Sequence, residues 1–382
     1  MTTLWERDEP GPALHALVIG VGRYDYFPGS PTGQHCRRDA FSRELGQLTS
    51  PPESARRACR ELLDLKGRSD LPLGSLELLL SAGDDGRDDE EFGAVDPARL
   101  ADVKTAFKRW DERCDSDPGN VALFFFIGHG LQQGRGDQIL LLQDTGADPE
   151  DYFATAFNFD RMRMGLEANR AQIQCFFVDA CRSASDAVDD LDRIEAPPLK
   201  QPGKRPVRRD TVIVRSTGAG QSAYGAQYDS TLFTKAVLRA LRSPDSRGTQ
   251  DWAVTTRTIG TAVQYLMEWP GLAVEGRPDQ ACEVSGTMLG GELFRFDGLP
   301  QVPFHFDTDS ADSLAAAEWS FHDGSGRLVA DRTAKAEPWQ DNGPPGLGEV
   351  GVTFANGRFE STRRESWLQP PCHAHSVEVR NL

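Results

Sequence analysis

Two side chains in this sequence, His129 and Cys181, have the types and settings of a base and a nucleophile. The first closes the run Val121-Ala-Leu-Phe-Phe-Phe-Ile-Gly-His-Gly130, and the second closes Gln174-Cys-Phe-Phe-Val-Asp-Ala-Cys-Arg-Ser183. A free thiol is only partly ionised at neutral pH, and a neighbouring imidazole raises the thiolate fraction or takes the proton during attack. Arg182 adds a positive charge next to the thiol, which favours the thiolate. Glycine has no Cβ, so Gly130 lets the backbone approach a scissile carbonyl, and the N–H groups of Gly130 and Cys181 can both point at a developing oxyanion.

This chemistry requires the two side chains to meet, and the elements that carry them provide a way. Each apolar run is too short for a helix and reads as a buried strand. Parallel sheets gather functional groups at the carboxyl ends of their strands, so a His and a Cys at two such ends face each other across one edge. The rest of the chain alternates in the same sense. Strands are expected at 16–19, 76–80 and 139–142. Helices are expected at 36–49, ended by Pro51-Pro52, at 97–110, capped by Asp96, and at 160–169. Leu100, Val103, Phe107 and Trp110 form one stripe of the second helix, which is a core face. The pattern predicts an α/β fold with a mostly parallel central sheet covered by helices.

Asp179-Ala-Cys-Arg-Ser183 and Gly128-His-Gly130, with the His 52 residues before the Cys, resemble the nucleophile and histidine motifs of the caspase-like cysteine peptidases, the group of caspases, metacaspases and their bacterial relatives. Ala16-Leu-Val-Ile-Gly20 is similar to the family's first strand and Gly33-Gln-His-Cys-Arg-Arg-Asp-Ala40 to the start of its first helix. Thr211-Val-Ile-Val214 is similar to the strand after the nucleophile, and Tyr228-Asp-Ser-Thr-Leu-Phe-Thr234 leads into a late helix. The resemblance spans roughly residues 13–296. It implies a caspase-like sandwich over residues 1–298 and a cysteine endopeptidase in which Cys181 attacks the carbonyl while His129 serves as base and then acid.

The resemblance also implies a specificity. Caspases carry a Gln two residues before the nucleophile, whereas metacaspases carry an Asp, as this chain does at Asp179. A second metacaspase Asp, at the start of the first helix, is matched by Asp39. Two carboxylates in one substrate pocket (S1) imply cleavage after Arg, less readily Lys, because charge-assisted bonds to a guanidinium are strong and directional. Metacaspases usually show Ser-Gly-His-Gly, and Ile127 takes the Ser position here. The acidic cluster Asp186, Asp189, Asp190 and Asp192, followed by basic Lys200, Lys204, Arg205, Arg208 and Arg209, reads as an exposed, mobile loop over 185–210. Caspases are cut in the corresponding stretch, so a zymogen with a processing loop and an upstream activator is implied, in regulated proteolysis such as bacterial defence or cell death. No resident cofactor or metal is expected. Calcium, which activates some metacaspases, is a minority reading of the acidic runs at 84–91 and 186–192.

Composition narrows the alternatives. A formal charge of −16 argues against nucleic-acid binding, which needs clustered Lys and Arg, and suits a basic protein or peptide substrate. The absence of an apolar run of about 18 residues and a polar, acidic N-terminus predict neither a membrane span nor a secretory signal. Seven cysteines, an odd number without framework spacing, suggest reduced thiols in a cytoplasmic protein. After Gly298 the periodicity changes to short segments around 319–321, 350–354 and 376–379, predicting a β-rich C-terminal module over 299–382. A non-catalytic caspase-like scaffold is the alternative; it would need neither His129 nor Cys181. A Cys-dependent hydrolase or acyltransferase of small molecules is a third reading, and no cofactor loop accompanies it.

Overall fold

The computed structural model describes residues 2–32, 45–82, 88–89, 91–133, 137–182, 196–203, 208–218, 227–246, 251–272 and 280–382. Strands that are apolar at every position have to be paired on both edges and covered on both faces. That is where the two active-site runs lie. The central strands are β1 (Thr3–Glu6), β2 (Leu14–Val21), β3 (Leu73–Ser81), β4 (Val121–Ile127), a short hairpin of β5 (Gly130–Gln133) and β6 (Asp137–Leu140), then β7 (Ile173–Asp179), β8 (Asp210–Arg215) and β9 (Glu283–Ser285). Seven of them form one sheet in the order β1-β3-β2-β4-β7-β8-β9. The pairs from β3 to β8 are parallel, while β1 and β9 close the two edges antiparallel.

The helices α1 (Ser50–Leu63), α2 (Leu100–Cys114), α3 (Phe159–Leu166), α4 (Leu232–Ala240) and α5 (Thr256–Glu268) cover the two faces. Alternation along each strand divides the core between them. Phe124, Phe126, Phe176 and Val178 face α2 and α3, whereas Phe125, Ile127, Cys175 and Phe177 face α1, α4 and α5. Aromatic pairs tie the central strands together on both sides. Phe124 and Phe176 have ring centroids 6.2 Å apart, and Phe125 and Phe177 5.8 Å. Each such pair adds about 1 kcal/mol to the burial itself, so the packing ties β4 to β7 on both faces.

Three local expectations are corrected. Pro51-Pro52 begin a helix instead of ending one, because proline fits the first turn, where no intrahelical N–H is required. Residues 36–44 of the expected helix lie outside the described residues. The second helix starts at Leu100 instead of 97, and Asp96 is not its cap. The Leu100 N–H is instead taken by the Asp144 carboxylate at 3.1 Å, a cap supplied from a distant loop. Of the expected mobile loop over 185–210, residues 196–203 and 208–210 are described, and the first stretch is anchored. Ala196 is buried, Lys200 Nζ holds both Asp111 oxygens at 2.7 and 2.6 Å, and Gly165 leaves room for the Lys200 carbonyl.

From Val302 onward the chain forms a three-stranded and a four-stranded sheet. Phe304, Phe306, Trp319, Phe321 and Trp339 fill the space between them. This part touches the helical layer where Trp269 Nε1 donates to the His373 carbonyl at 3.2 Å. Among the described residues no helix is long and apolar enough to cross a membrane.

Candidate active site

Strands β4 and β7 are parallel neighbours in which Ile127 is paired with Asp179. His129 and Cys181 each stand two residues beyond that pair, so equal spacing on two in-register strands brings imidazole and thiol to the same edge. The Gly128 N–H extends the pairing by donating to the Asp179 carbonyl at 3.0 Å. Gly130 then turns the chain into β5. A Cβ at Gly130 would lie 2.8 Å from the Cys181 carbonyl oxygen and 3.0 Å from the Ala180 Cβ. The missing side chain is therefore what lets the backbone after the histidine lie against the backbone of the cysteine.

The imidazole is held from several sides. His129 is only 7% exposed, and its Nε2 lies 2.8 Å from the Gly46 carbonyl. A carbonyl can only accept, so Nε2 carries the hydrogen and Nδ1 of the neutral ring keeps the free lone pair. Burial pushes the imidazole pKa down to about 4, against a smaller opposing effect of the Gly46 bond. The ring is thus neutral at pH 7, as a base should be. Tyr24 packs against it with ring centroids 4.8 Å apart, and the Tyr24 hydroxyl accepts the His129 backbone N–H at 2.7 Å.

Around Cys181 the arrangement is more open. The thiol is partly exposed, whereas Cys59, Cys114 and Cys175 are buried and burial pushes their thiols well up. Cys282 and Cys372 are partly exposed but are pushed up to about 12 by burial. The Cys181 carbonyl accepts from Gln138 Nε2 at 3.4 Å. Arg182 turns away to Glu283, its Nη1 2.5 Å from a carboxylate oxygen, so much of the charge expected beside the thiol is matched by a carboxylate.

Asp179 is buried beneath the dyad, 3% exposed. Its Oδ2 accepts the hydroxyls of Thr231 at 2.5 Å and Thr234 at 3.4 Å, at the start of α4. Burial raises its pKa to about 6 despite these bonds. Asp39 lies outside the described residues, as does the acidic run 186–192. In the other acidic run, Asp89 is bound to Arg56 at 2.8 Å and Glu91 to Arg60 at 2.5 Å. These two carboxylates already serve arginines, and residues 84–87 and 90 of the same run lie outside the described residues.

The caspase-domain model of peptidase family C14 matches residues 14–288. The chain belongs to the caspase-domain peptidase family. Among curated proteins, this caspase-domain chain is 31% identical over 250 residues to the uncharacterized protein y4kE of Sinorhizobium fredii, covering 62% of this chain and 67% of that one. It is 26% identical over 268 residues to a probable protease of a Desulfuromonadales bacterium, covering 67% of this chain but only 28% of that protein's length. Among solved structures, caspase-1 from Spodoptera frugiperda is similar at 14% identity with a TM-score of 0.44, over 75% of this chain and 95% of that one.

Three contributors to this caspase-domain site have no signature in the sequence. Tyr24 reaches His129 from a loop 105 residues away, Gln138 reaches the Cys181 carbonyl from a strand 43 residues before it, and Gly46 contributes its carbonyl. Their roles come from packing, to which residue type gives no clue.

Proposed function

We propose that this protein is a cysteine endopeptidase working through a His129–Cys181 dyad, a reading carried by the equal two-residue overhang of both side chains beyond the Ile127–Asp179 pair. The Cys181 proton passes to Nδ1 of His129 as Sγ forms a bond to the scissile carbonyl carbon. The Gly130 and Cys181 N–H groups receive the oxyanion. His129 then returns the proton to the leaving amine as the C–N bond breaks. A water that gives its proton to His129 next adds to the thioester carbon, the C–S bond breaks, and His129 returns that proton to the thiolate. The Gly46 carbonyl keeps the ring oriented and stabilises the imidazolium formed midway.

We further infer cleavage after Arg, less readily Lys, with Asp179 at the base of the S1 pocket and Asp39 as its partner carboxylate. Supporting this, Asp179 is a buried carboxylate at the carboxyl end of β7, held in place by the Thr231 and Thr234 hydroxyls on Oδ2, with the side chain of Ser216 beside it. A pKa of about 6 keeps the group mostly ionised at pH 7. Arg cleavage should therefore lose rate as pH falls through about 6.

The test is cleavage of fluorogenic peptides ending in Arg, Lys or Asp by the wild type and by Cys181→Ala, with and without calcium. Arg cleavage that vanishes in the variant supports both assignments. Cleavage after Asp overturns the pocket but keeps the dyad. If Asp179→Asn leaves the preference for Arg unchanged, Asp179 is not the selecting residue. Absence of peptide cleavage by the wild type, with or without proteolytic nicking of 185–210, favours the scaffold.

A further inference from the structure

On the α3 face of the sheet, beside the edge strand β9, lies a cavity of about 670 Å³ whose wall carries five arginines, Arg163, Arg182, Arg208, Arg209 and Arg215, against three carboxylates, Asp160, Glu167 and Glu283. A surplus of positive charge in one cavity stands out in a chain whose net charge is −16. The volume is that of a small-molecule site.

The surplus is built into the fold. Arg215 and Glu283 are directly paired across β8 and β9, and the carboxylate of Glu283 is shared by two guanidiniums, Arg182 at 2.5 Å and Arg215 at 3.5 Å. Both arginine side chains are 6% exposed. Arg215 also holds Asp160 at 2.6 Å, yet Arg182 Nε is buried with no hydrogen-bond acceptor among the described residues. A buried, charged N–H without an acceptor costs the fold its desolvation. Arg209 donates to a backbone carbonyl, Glu167 O, at 3.3 Å, and neither it nor Arg208 has a carboxylate partner among the described residues. Arg163 is bound to Glu167 at 3.3 Å, which leaves the Arg182 Nε, Arg208 and Arg209 as the donors not matched by a carboxylate among the described residues. Guanidiniums converging on one space in this way define a site for an anion, and their planar forks suit the several oxygens of a phosphate.

The cavity is wired to the nucleophile. Arg182 follows Cys181 in the chain, and Arg215 Nε donates to Gln138 Oε1 at 3.1 Å while Gln138 Nε2 donates to the Cys181 carbonyl. An anion that fixes Arg182 and Arg215 therefore fixes the backbone of Cys181 from both sides.

We propose that this cavity binds a small phosphate-bearing anion and that its occupancy tunes the reactivity of Cys181. The binding half stands on the cavity alone, and only an effect on peptide cleavage rests on the peptidase reading. The full chain is titrated with inorganic pyrophosphate by calorimetry, with chloride at matched ionic strength and citrate as comparison anions. The same titration is made on Arg208→Gln/Arg209→Gln, which alters the cavity rim and leaves the buried arginines in place.

Saturable pyrophosphate binding, weakened at least about tenfold in the double variant, is the expected result. Absence of saturation, equal binding by the variant, or equal binding of citrate overturns the phosphate site. Alkylation of Cys181 by iodoacetamide reports the coupling independently of peptidase activity. A rate changed by about threefold or more when pyrophosphate saturates the wild type supports it, and an unchanged rate overturns the regulatory half.

Discussion

The ends of β4 and β7 carry the two reactive groups at the same register, yet their surroundings differ sharply. His129 is enclosed by the Tyr24 ring, bound through Nε2 to the Gly46 carbonyl and through its backbone N–H to the Tyr24 hydroxyl. Cys181 is partly exposed, and its carbonyl accepts from Gln138 Nε2 at 3.4 Å. The imidazole is held in advance and kept neutral, while the cysteine is partly exposed. That division suits a reaction in which sulfur must move onto a carbonyl while the proton acceptor stays still.

The comparison breaks first at the reacting atoms. Cys181→Ala and His129→Ala should each lower kcat/KM by at least about a thousandfold, and the double variant should be no worse than either alone, because the two act as one unit. Near-wild-type activity in either variant, in a peptide assay, would sink the dyad.

Next comes the backbone that joins the two ends. Gly130→Ala places a methyl 2.8 Å from the Cys181 carbonyl and should lower kcat by about tenfold to a hundredfold, since a shift of about 1 Å at the reacting centre costs that much. An unchanged kcat would mean that the close approach has no catalytic consequence.

A smaller effect is expected from the support of the base. Tyr24→Phe keeps the ring against His129 but leaves the His129 N–H without its acceptor, which should cost about 1–3 kcal/mol of stability in denaturant melts. The expected loss in kcat is about tenfold, with KM little changed. A loss confined to stability would reduce Tyr24 to a packing role.

The smallest and most diagnostic effect is in acid. Burial pushes both His129 and His15 down to about 4 from an ordinary 6.5. Between those values the unfolded chain binds protons that the folded chain refuses, so stability is full above pH 6.5 and falls as pH drops towards 4. His15 is far from the chemistry, bound to the Ser75 hydroxyl at 2.9 Å. His15→Gln should therefore flatten the acid loss of stability and leave the pH dependence of cleavage unchanged. If both curves move together, the two histidines are not independent.

Much of this site was legible in the sequence because it depends on local pattern. The runs 121–127 and 173–179 are apolar without helical period, so they read as buried strands, and the motifs mark where the reactive residues fall. The helix at 97–110 was found from its stripe, but its start was misplaced because the N–H of Leu100 is satisfied by Asp144, 44 residues away. Pro51-Pro52 misled for a related reason. Proline ends a helix or begins one according to which neighbouring segment packs on the sheet, and here that segment is α1, whose Ala55, Ala58 and Leu62 are buried.

By itself the sequence determined the alternating α/β order, marked His129 and Cys181 as the candidate base and nucleophile, and pointed to the glycine beside them, since each follows from residue type and short spacing. The tertiary structure decided how the imidazole is oriented, which nitrogen is free, what Asp179 touches and where the arginines gather. Those outcomes arise from contacts between residues 52 to 101 positions apart, Gly46 with His129, Asp179 with Thr231 and Arg182 with Glu283. Desolvation and hydrogen-bond satisfaction act only once the chain has brought such groups together, so neither is encoded in the local pattern of residue types.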